Sequence, residues 1–342
     1  MKLGLRLLLV LSVSAFAALA QPVIGAVANG FSFGSQLSPG VLAAVFGSNL
    51  SGGSVSVTLN GAACPVTFVA ASQLNIQIPW EAATGKGRVV VTVDGVKSSP
   101  VTVTISKYSP ALVSLDGSGS GTGEFFSGPN LITTTNPANG GDTLTTYAIG
   151  LGATTPAIAT GELTPDPPPF YTTLATPTIN VGQKAATVFF SGLAPGVLAI
   201  DQLNLTLAPN TPVGTETVLL KIGSASTNVI NIPIGCLDKT ASVSVALGPL
   251  NHPSAGKYTQ KVTITNTSGT TLPAKGSLVL TALTSSATLT NGGGASCPSS
   301  DGSPYKSFTF TGSGSAQTAS VSLQFTDTTT GAITYGQRVL SK

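Results

Sequence analysis

An all-β fold is predicted by three features of the sequence. Residues 72–79 (SQLNIQIP) recur in similar form at 201–208 (DQLNLTLA), which indicates two copies of one domain. Apolar and polar residues alternate in both stretches, as expected for strands with one buried and one solvent-facing side. Short alternating segments are also separated by turn residues at close spacing, a pattern typical of β-sandwiches.

The first copy is expected at residues 21–106. Val55, Val57 and Leu59 alternate along one segment, and Asn60-Gly61 after them is a tight-turn pair because both residues tolerate positive φ. Further alternating segments, joined by a second turn pair, follow at 89–93, Asp94-Gly95 and 101–105.

The second copy is expected at residues 141–235, after a Gly/Ser/Thr-rich linker at 107–140. Part of this linker has oxygen-bearing side chains at alternate positions, as in a calcium loop. Ser127 stands where an EF-hand loop has its glutamate, so we expect a flexible loop. From Cys236 to residue 342 the alternation continues in a different pattern, which predicts a third immunoglobulin-like sandwich.

The composition limits the classes of partner. Of the 342 residues, 42% are hydrophobic and only 8% are charged, against about 25% charged in an ordinary soluble domain. The surface must therefore be rich in hydroxyl and amide groups. A formal charge of +3, without clusters of Lys and Arg, does not indicate nucleic acid or an anionic membrane as a partner.

The N-terminus has the features of a secretory signal peptide. Lys2 and Arg6 precede an apolar run from Leu7 to Leu19, and Ala18-Leu19-Ala20 supplies the small residues of a cleavage site. The run is shorter than a comfortable membrane span. We expect residues 1–20 to be removed on export, leaving a secreted or cell-surface protein without a transmembrane helix; an uncleaved anchor is the alternative.

The three cysteines are expected to differ in role. Cys236 and Cys297 lie at the start and in the middle of the last domain, and an oxidising compartment would let them form a disulfide. Cys64 is expected to be a small buried residue. No metal site is predicted, because the thiols are far apart in sequence and His252 is the only histidine.

Several short motifs resemble the IPT/TIG immunoglobulin-like fold. They are Ser38-Pro39-Gly40, Phe46-Gly47-Ser48-Asn49-Leu50 and Asn60-Gly61 after an alternating strand. The final domain is similar to immunoglobulin-like modules through residues 258–266.

Residues 38–234 more closely resemble a secreted module of soil acidobacteria of the Solibacter type. The resemblance rests on the two Gln-Leu-Asn stretches, on Gly150-Leu151-Gly152 and on residues 192–196. Asp201 and Cys64 depart from it, since small or uncharged residues are expected at these positions. The resemblance implies an immunoglobulin-like fold and export, and it implies no chemistry.

No catalytic or cofactor-binding residues are predicted, and no cofactor is expected. His252 lies in a turn-like Asn-His-Pro sequence, and no nucleophile motif accompanies it. Glu162 and Asp166 are the closest acidic pair of interest, and glycoside hydrolysis would require one of them to face another carboxylate in a pocket. Solvated loop charges are the expected role of both.

Aromatic residues beside loops are the candidates for ligand binding. Trp80, the only tryptophan, follows Pro79 at a strand end, and Phe170-Tyr171 follow a Pro-rich loop. Exposed, these rings would stack on sugars or fill a pocket of a partner. Packing into the domain cores is the competing interpretation, and we favour it because large aromatic side chains are mostly buried.

The sequence therefore predicts an exported, non-catalytic, adhesion-like interaction or scaffold protein built from three tandem immunoglobulin-like sandwiches. Its expected partner is a protein or a polysaccharide at the cell surface. A carbohydrate-binding module protein is the alternative, and a secreted enzyme acting on glycans is a more remote one. The oligomeric state is left open.

Overall fold

The computed structural model describes residues 20–166, 169–294, 296–329 and 332–342. These residues form β-strands and two 3₁₀ turns, Thr240–Ser242 and Gly314–Ala316, and contain no α-helix. No helix within these ranges is long and apolar enough to cross a bilayer. The predicted all-β class is confirmed. The expected signal peptide lies outside the described residues, apart from Ala20.

The first sandwich is formed by ten strands. They are β1 (Val23–Asn29), β2 (Gln36–Leu37), β3 (Leu42–Ser48), β4 (Val55–Leu59), β5 (Ala62–Cys64), β6 (Val66–Ala70), β7 (Gln73–Gln77), β8 (Gly85–Val93), β9 (Val96–Lys97) and β10 (Val101–Ile105).

Two sheets enclose the core of the first sandwich. One has the order β1-β3-β7-β6, and the other has the order β2-β10-β8-β4-β5, with β9 paired to β8. Alternate residues of β7 and β8, including Leu74, Ile76, Val89 and Val91, are fully buried between the sheets. The predicted Asn60-Gly61 turn joins β4 to β5, and both of its residues have positive φ.

The second sandwich contains fourteen strands. They are β11 (Ala111–Leu112), β12 (Gly121–Thr122), β13 (Phe125–Ser127), β14 (Asn130–Leu131), β15 (Ala138–Asn139), β16 (Thr143–Ile149), β17 (Thr154–Thr155), β18 (Thr172–Thr173), β19 (Thr178–Val181), β20 (Lys184–Leu193), β21 (Asp201–Thr206), β22 (Gly214–Ile222), β23 (Ala225–Ser226) and β24 (Ile230–Asp238).

One layer of the second sandwich has the order β13-β16-β21-β20, and the facing layer contains β19, β22 and β24. The long strand β20 belongs to both, because its first residues pair with β19 and its later ones with β21. Alternate residues of β21 and β22, such as Leu203, Leu205, Val218 and Leu220, fill the core.

Residues 107–140 are not a linker, which corrects that prediction. They supply the five short strands β11–β15. Of these, β11 and β13 pair with β16, β12 and β15 pair with β24, and β14 pairs with β13. Leu112, Phe125 and Ile132 are fully buried in the core of the second sandwich. This segment is therefore part of the second domain.

The third sandwich follows β24 without a spacer. Its strands are β25 (Val243–Ser254), β26 (Lys257–Asn266), β27 (Lys275–Thr281), β28 (Ala287–Leu289), β29 (Tyr305–Thr309), β30 (Thr318–Asp327) and β31 (Gly336–Ser341). One sheet has the order β25-β26-β30-β28. In the other, β31 pairs with both β27 and the end of β24, so a strand is shared between the second and third sandwiches. A disulfide joins Cys236 to Cys297 at this junction.

A partly buried charge cluster, in which Asp142 is the buried member, joins the second sandwich to the third. The guanidinium of Arg338 donates through Nη1 to Asp142 and, at 2.8 Å, through Nε to Asp238. Its Nη2 donates to the carbonyl of Gly140, and the Ser300 hydroxyl donates to Asp142. Burial raises the pKa of the Asp142 carboxyl, although the nearby guanidinium acts in the opposite direction. The cluster therefore depends on Arg338 to compensate a carboxylate removed from water.

We expect Arg338→Ala to lower the free energy of unfolding by about 3–5 kcal/mol, because it leaves a buried carboxylate without its cation. Denaturant unfolding measures the loss, and Arg88→Ala, at an exposed position, is the control. Replacing Arg338 by Met together with Asp142→Asn should recover part of the loss. Equal stability of the Arg338→Ala and Arg88→Ala variants would contradict this role.

Candidate functional site

Trp80 packs within the protein instead of forming an open platform. Its ring lies directly over Gly40, where an added Cβ would stand 2.1 Å from the ring. The half-buried ring lines a cavity of about 350 Å³ together with Tyr108 and Leu174 of the second sandwich. Its backbone N–H donates to the Thr160 hydroxyl at 2.8 Å. Trp80 thus helps to join the first two sandwiches.

Phe170 and Tyr171 lie at a different place, beside β20. The side chain of Phe170 is 58% exposed, and its ring meets Phe190 edge-on with the centroids 5.7 Å apart. Tyr171 is half-buried, and its carbonyl accepts a hydrogen bond from the Leu193 N–H at 2.8 Å. Neither residue lines the cavity beside Trp80. The three aromatic candidates therefore do not form one site.

A different cavity has the composition of a ligand site. It measures about 350 Å³ and lies where the first sandwich meets the second. We call it the junction cleft, and it is lined by Phe31, Val113, Glu124, Tyr147, Ala194, Pro195, Val197, Ile200 and Gln202. Its walls are mostly apolar, with two aromatic rings, one amide and one carboxylate among them.

Asn29 positions the aromatic residue that the first sandwich contributes to the junction cleft. This asparagine is 1% exposed, and its Oδ1 accepts hydrogen bonds from the N–H groups of Phe31 and Ser32, both at 3.0 Å. Its Nδ2 donates to the carbonyl of Ser109 at 2.8 Å. One amide therefore shapes the loop that carries Phe31 and ties that loop to the start of the second sandwich.

Tyr147 and Gln202 are direct neighbours across the β16–β21 pair. Residues opposite each other in an antiparallel pair share one face of the sheet, so both side chains reach the junction cleft. The Gln202 Nε2 donates to Asn204 Oδ1 at 3.0 Å, which fixes the amide orientation. The ring of Phe126 packs edge-on against Tyr147, with the centroids 6.4 Å apart.

The same row of side chains occurs in the first sandwich. There Phe46 is paired with Gln73, and Gln73 Nε2 donates to Asn75 Oδ1 at 2.8 Å. On the next strand, a phenylalanine lies opposite the Asn in both copies: Phe68 opposite Asn75 and Phe190 opposite Asn204. A β-bulge precedes each phenylalanine. We call these two sets aromatic–amide rows. In both copies the Gln of the Gln-Leu-Asn motif thus donates a hydrogen bond to the Asn of the same motif. The sequence alone does not show that these two side chains are partners.

Glu124 is held in the junction cleft by its main chain. Its N–H donates to the carbonyl of Val113 at 3.2 Å, and its carbonyl accepts from the Thr146 hydroxyl at 2.7 Å. The half-buried side chain adds a carboxylate to the cleft that Gln202 also lines. The cleft therefore offers ring faces together with hydrogen-bonding groups of both kinds.

The residues that the sequence analysis considered for catalysis or metal binding are buried, stacked on another ring or exposed to solvent. Cys64 is buried in the first core, and this burial raises the pKa of its thiol to about 11. The ring of His252 stacks on Tyr258 with the centroids 4.5 Å apart. Glu162 and Asp166 are both exposed. Within the described ranges, no group of three His, Cys, Asp or Glu side chains is arranged to bind a metal ion.

Phe31, Glu124, Tyr147 and Gln202 were not predicted as site residues. The sequence signal for two of them existed, because Gln202 belongs to the repeated motif and Tyr147 lies on a predicted strand. No local pattern indicates that Phe31 lies beside them, since that contact arises only from the packing of two domains.

Comparison with known proteins supports the domain type for part of the chain. Residues 31–105, which cover most of the first sandwich, match the IPT/TIG domain family. The immunoglobulin-like module expected there is confirmed. No curated protein matches this chain.

Several solved structures share distant similarity. SGBP-B from a complex xyloglucan utilization locus in Bacteroides uniformis is 10% identical, with 94% of this chain and 98% of that chain covered and a TM-score of 0.27. Invasin, a bacterial integrin-binding protein, is 11% identical, with 92% and 55% covered and a TM-score of 0.18. The plexin A4 extracellular region is 11% identical, with 93% and 22% covered and a TM-score of 0.26. Scores this low support no inference about the present chain.

We expect Gly40→Ala to displace Trp80, because the added Cβ would overlap the ring and Gly40 has φ +77°. The fluorescence of Trp80, the only tryptophan, should shift to longer wavelength, and stability should fall by about 1–3 kcal/mol. Gly95→Ala is the matched control, since Gly95 has φ +84° and open space around its Cα. An unchanged emission spectrum in Gly40→Ala would show that Trp80 is not held there.

Asp201 makes the stability of the second sandwich dependent on pH. It is 3% exposed; Leu151 donates its N–H to Oδ2 at 3.3 Å, and among the described residues nothing pairs with Oδ1. Burial raises the pKa of this carboxyl from 3.8 to about 8. Between these values the folded state binds a proton that the unfolded state does not, so raising the pH through this window lowers the free energy of unfolding.

We expect Asp201→Asn to flatten this pH dependence, with a gain of about 1–3 kcal/mol at pH values above the window and little change below it. Urea unfolding across the window measures the effect, with the exposed Glu162→Gln as control. Parallel pH profiles for Asp201→Asn and the unmodified protein would refute the prediction.

Proposed function

We propose that this protein is an exported, non-catalytic interaction protein that binds a neutral polysaccharide chain in the junction cleft. The observation that carries the proposal is the convergence of Phe31 and Tyr147, from two different sandwiches, on one cavity that also presents Gln202 and Glu124.

The chemistry of the cleft suits a sugar. A pyranose ring has C–H faces that pack against aromatic rings, and its hydroxyl groups both donate and accept hydrogen bonds. Gln202 can do both, and the Glu124 carboxylate accepts. An anionic ligand would be repelled by that carboxylate, so a neutral glycan fits better than an acidic one.

The positions of the carboxylates favour a binding role over hydrolysis. Glycosidases use a pair of carboxyl groups about 5–9.5 Å apart, and among the residues that line the junction cleft Glu124 alone carries one. Asp142 and Asp238 are engaged by Arg338, and Asp201 is buried behind the sheet. These carboxylates have structural partners or surroundings outside the cleft.

Export is supported by two features. The Cys236–Cys297 disulfide suits an oxidising compartment, and the N-terminal sequence has the pattern of a secretory signal. We also propose that the protein is located at the cell surface and that residues 38–234 form a module of the Solibacter type.

Binding of soluble neutral polysaccharides, measured by affinity gel electrophoresis and by calorimetry, tests the proposal. We expect Tyr147→Ala and Phe31→Ala each to weaken binding about tenfold or more, equivalent to at least 1.4 kcal/mol. Phe170→Ala is the matched control, because it removes an exposed ring at a distance from the cleft lining.

Three outcomes would contradict the proposal. They are an absence of binding to every neutral polysaccharide in the panel, equal binding by both cleft variants, and loss of binding in Phe170→Ala alone. Thermal unfolding of each variant distinguishes a lost contact from a lost fold.

A further inference from the structure

The edge strand β6 of the first sandwich is open and uncharged. Among the described residues it pairs with β7 on one side and with no strand on the other. Phe68 is 48% exposed and Val69 is 44% exposed, and Thr67 beside them is exposed as well. Natural edge strands are usually protected by charges, prolines or a covering segment, and Val66–Ala70 contains neither a charge nor a proline.

The second sandwich shows how this fold covers the equivalent edge. Phe190 of β20 is opposite Asn204, as Phe68 of β6 is opposite Asn75, and a bulge precedes both phenylalanines. The strand β18 then pairs with β20 at Gly192. The strand β18 has two uncharged residues, Thr172 and Thr173, so a short extended segment of this chain covers the edge at Gly192 in the second copy.

An aromatic ring also covers the bulged phenylalanine in the second copy. Phe170 precedes β18 by two residues and packs edge-on against Phe190. In the first copy Phe68 lacks such a cover among the described residues, which is consistent with its high exposure. The duplicated domain thus defines the kind of partner that fits on β6: an uncharged extended strand that brings an aromatic side chain.

We propose that β6 pairs in antiparallel fashion with β6 of a second copy of this chain, to give a dimer with twofold symmetry. A strand centred on Phe68 meets both requirements, since Val66–Ala70 is extended, uncharged and carries the aromatic ring. Twofold pairing about Phe68 places Val69 of one copy opposite Thr67 of the other, and it brings no like charges together.

This pairing would form hydrogen bonds with the main-chain N–H and C=O groups of β6 that do not pair with β7. Strand addition obtains its affinity from main-chain hydrogen bonds and its specificity from the alternate side chains. The interaction uses no residue that lines the junction cleft, so it is independent of the proposed glycan binding.

Sedimentation equilibrium of the purified protein tests the dimer. We expect the average mass to rise from that of a monomer towards that of a dimer as the concentration increases through the micromolar range. Val69→Lys should weaken dimerisation at least tenfold, equivalent to about 1.4 kcal/mol or more, because each copy then places a charge on the shared edge. Phe189→Lys is the matched control, at a 58% exposed position of the equivalent strand.

Cross-linking tests the symmetry of the pairing. Under mild oxidation Phe68→Cys should form a covalent dimer, whereas Phe189→Cys should remain monomeric in the same conditions. The native thiol of Cys64 is buried and should not contribute.

A protein that is monomeric at all concentrations would overturn the proposal, as would a dimer that Val69→Lys leaves unchanged or a Phe68→Cys variant that does not cross-link. Circular dichroism and thermal unfolding confirm that each variant is folded. Polysaccharide binding by Val69→Lys is measured in parallel, so failure of the dimer and failure of the glycan site are distinguishable.

Discussion

The geometry of the junction cleft depends on one buried amide, that of Asn29. It accepts two hydrogen bonds from the loop that carries Phe31 and donates one to Ser109, at the start of the second sandwich. Leaving such a buried group unsatisfied costs about 1–3 kcal/mol, so the loop and the domain boundary are held in one arrangement. A cleft that is fixed in this way requires little ordering when a ligand binds, and ordering is a main cost of association.

The two copies of the domain each contain an aromatic–amide row, and different residues from the neighbouring loops and strands contact the aromatic rings of the two rows. In the first copy the ring of Phe33 covers Phe46, with the centroids 6.2 Å apart, while Phe68 at the other end of the row stays exposed. In the second copy Phe170 covers Phe190, while Tyr147 contacts Phe126 edge-on and also lines the junction cleft. The first copy therefore leaves Phe68 exposed, whereas the second copy covers Phe190 and places Tyr147 in the wall of the junction cleft.

The strands were predictable where the signal is local. Alternation along β7, β8 and β21 and the turn pair Asn60-Gly61 need no information from distant residues, and these elements lie where the sequence placed them. Residues 107–140 gave no such signal, because their strands are two or three residues long and Gly and Ser separate their apolar side chains. Leu112 and Phe125 became core residues only because β16 and β24 provide edges with which this segment pairs.

The candidate site was less predictable, because it depends on contacts between distant parts of the chain. Trp80 was selected for its residue type, yet its position is decided by Gly40, whose missing side chain makes room for the ring. Phe31 and Tyr147 meet only because two domains pack together. Only 8% of the residues are charged. Three of them, Arg338, Asp142 and Asp238, form the ion pairs between the second and third sandwiches. The junction cleft is lined mainly by apolar groups, rings and an amide, so the binding that we propose there would depend on shape and hydrogen bonding and would be little affected by salt.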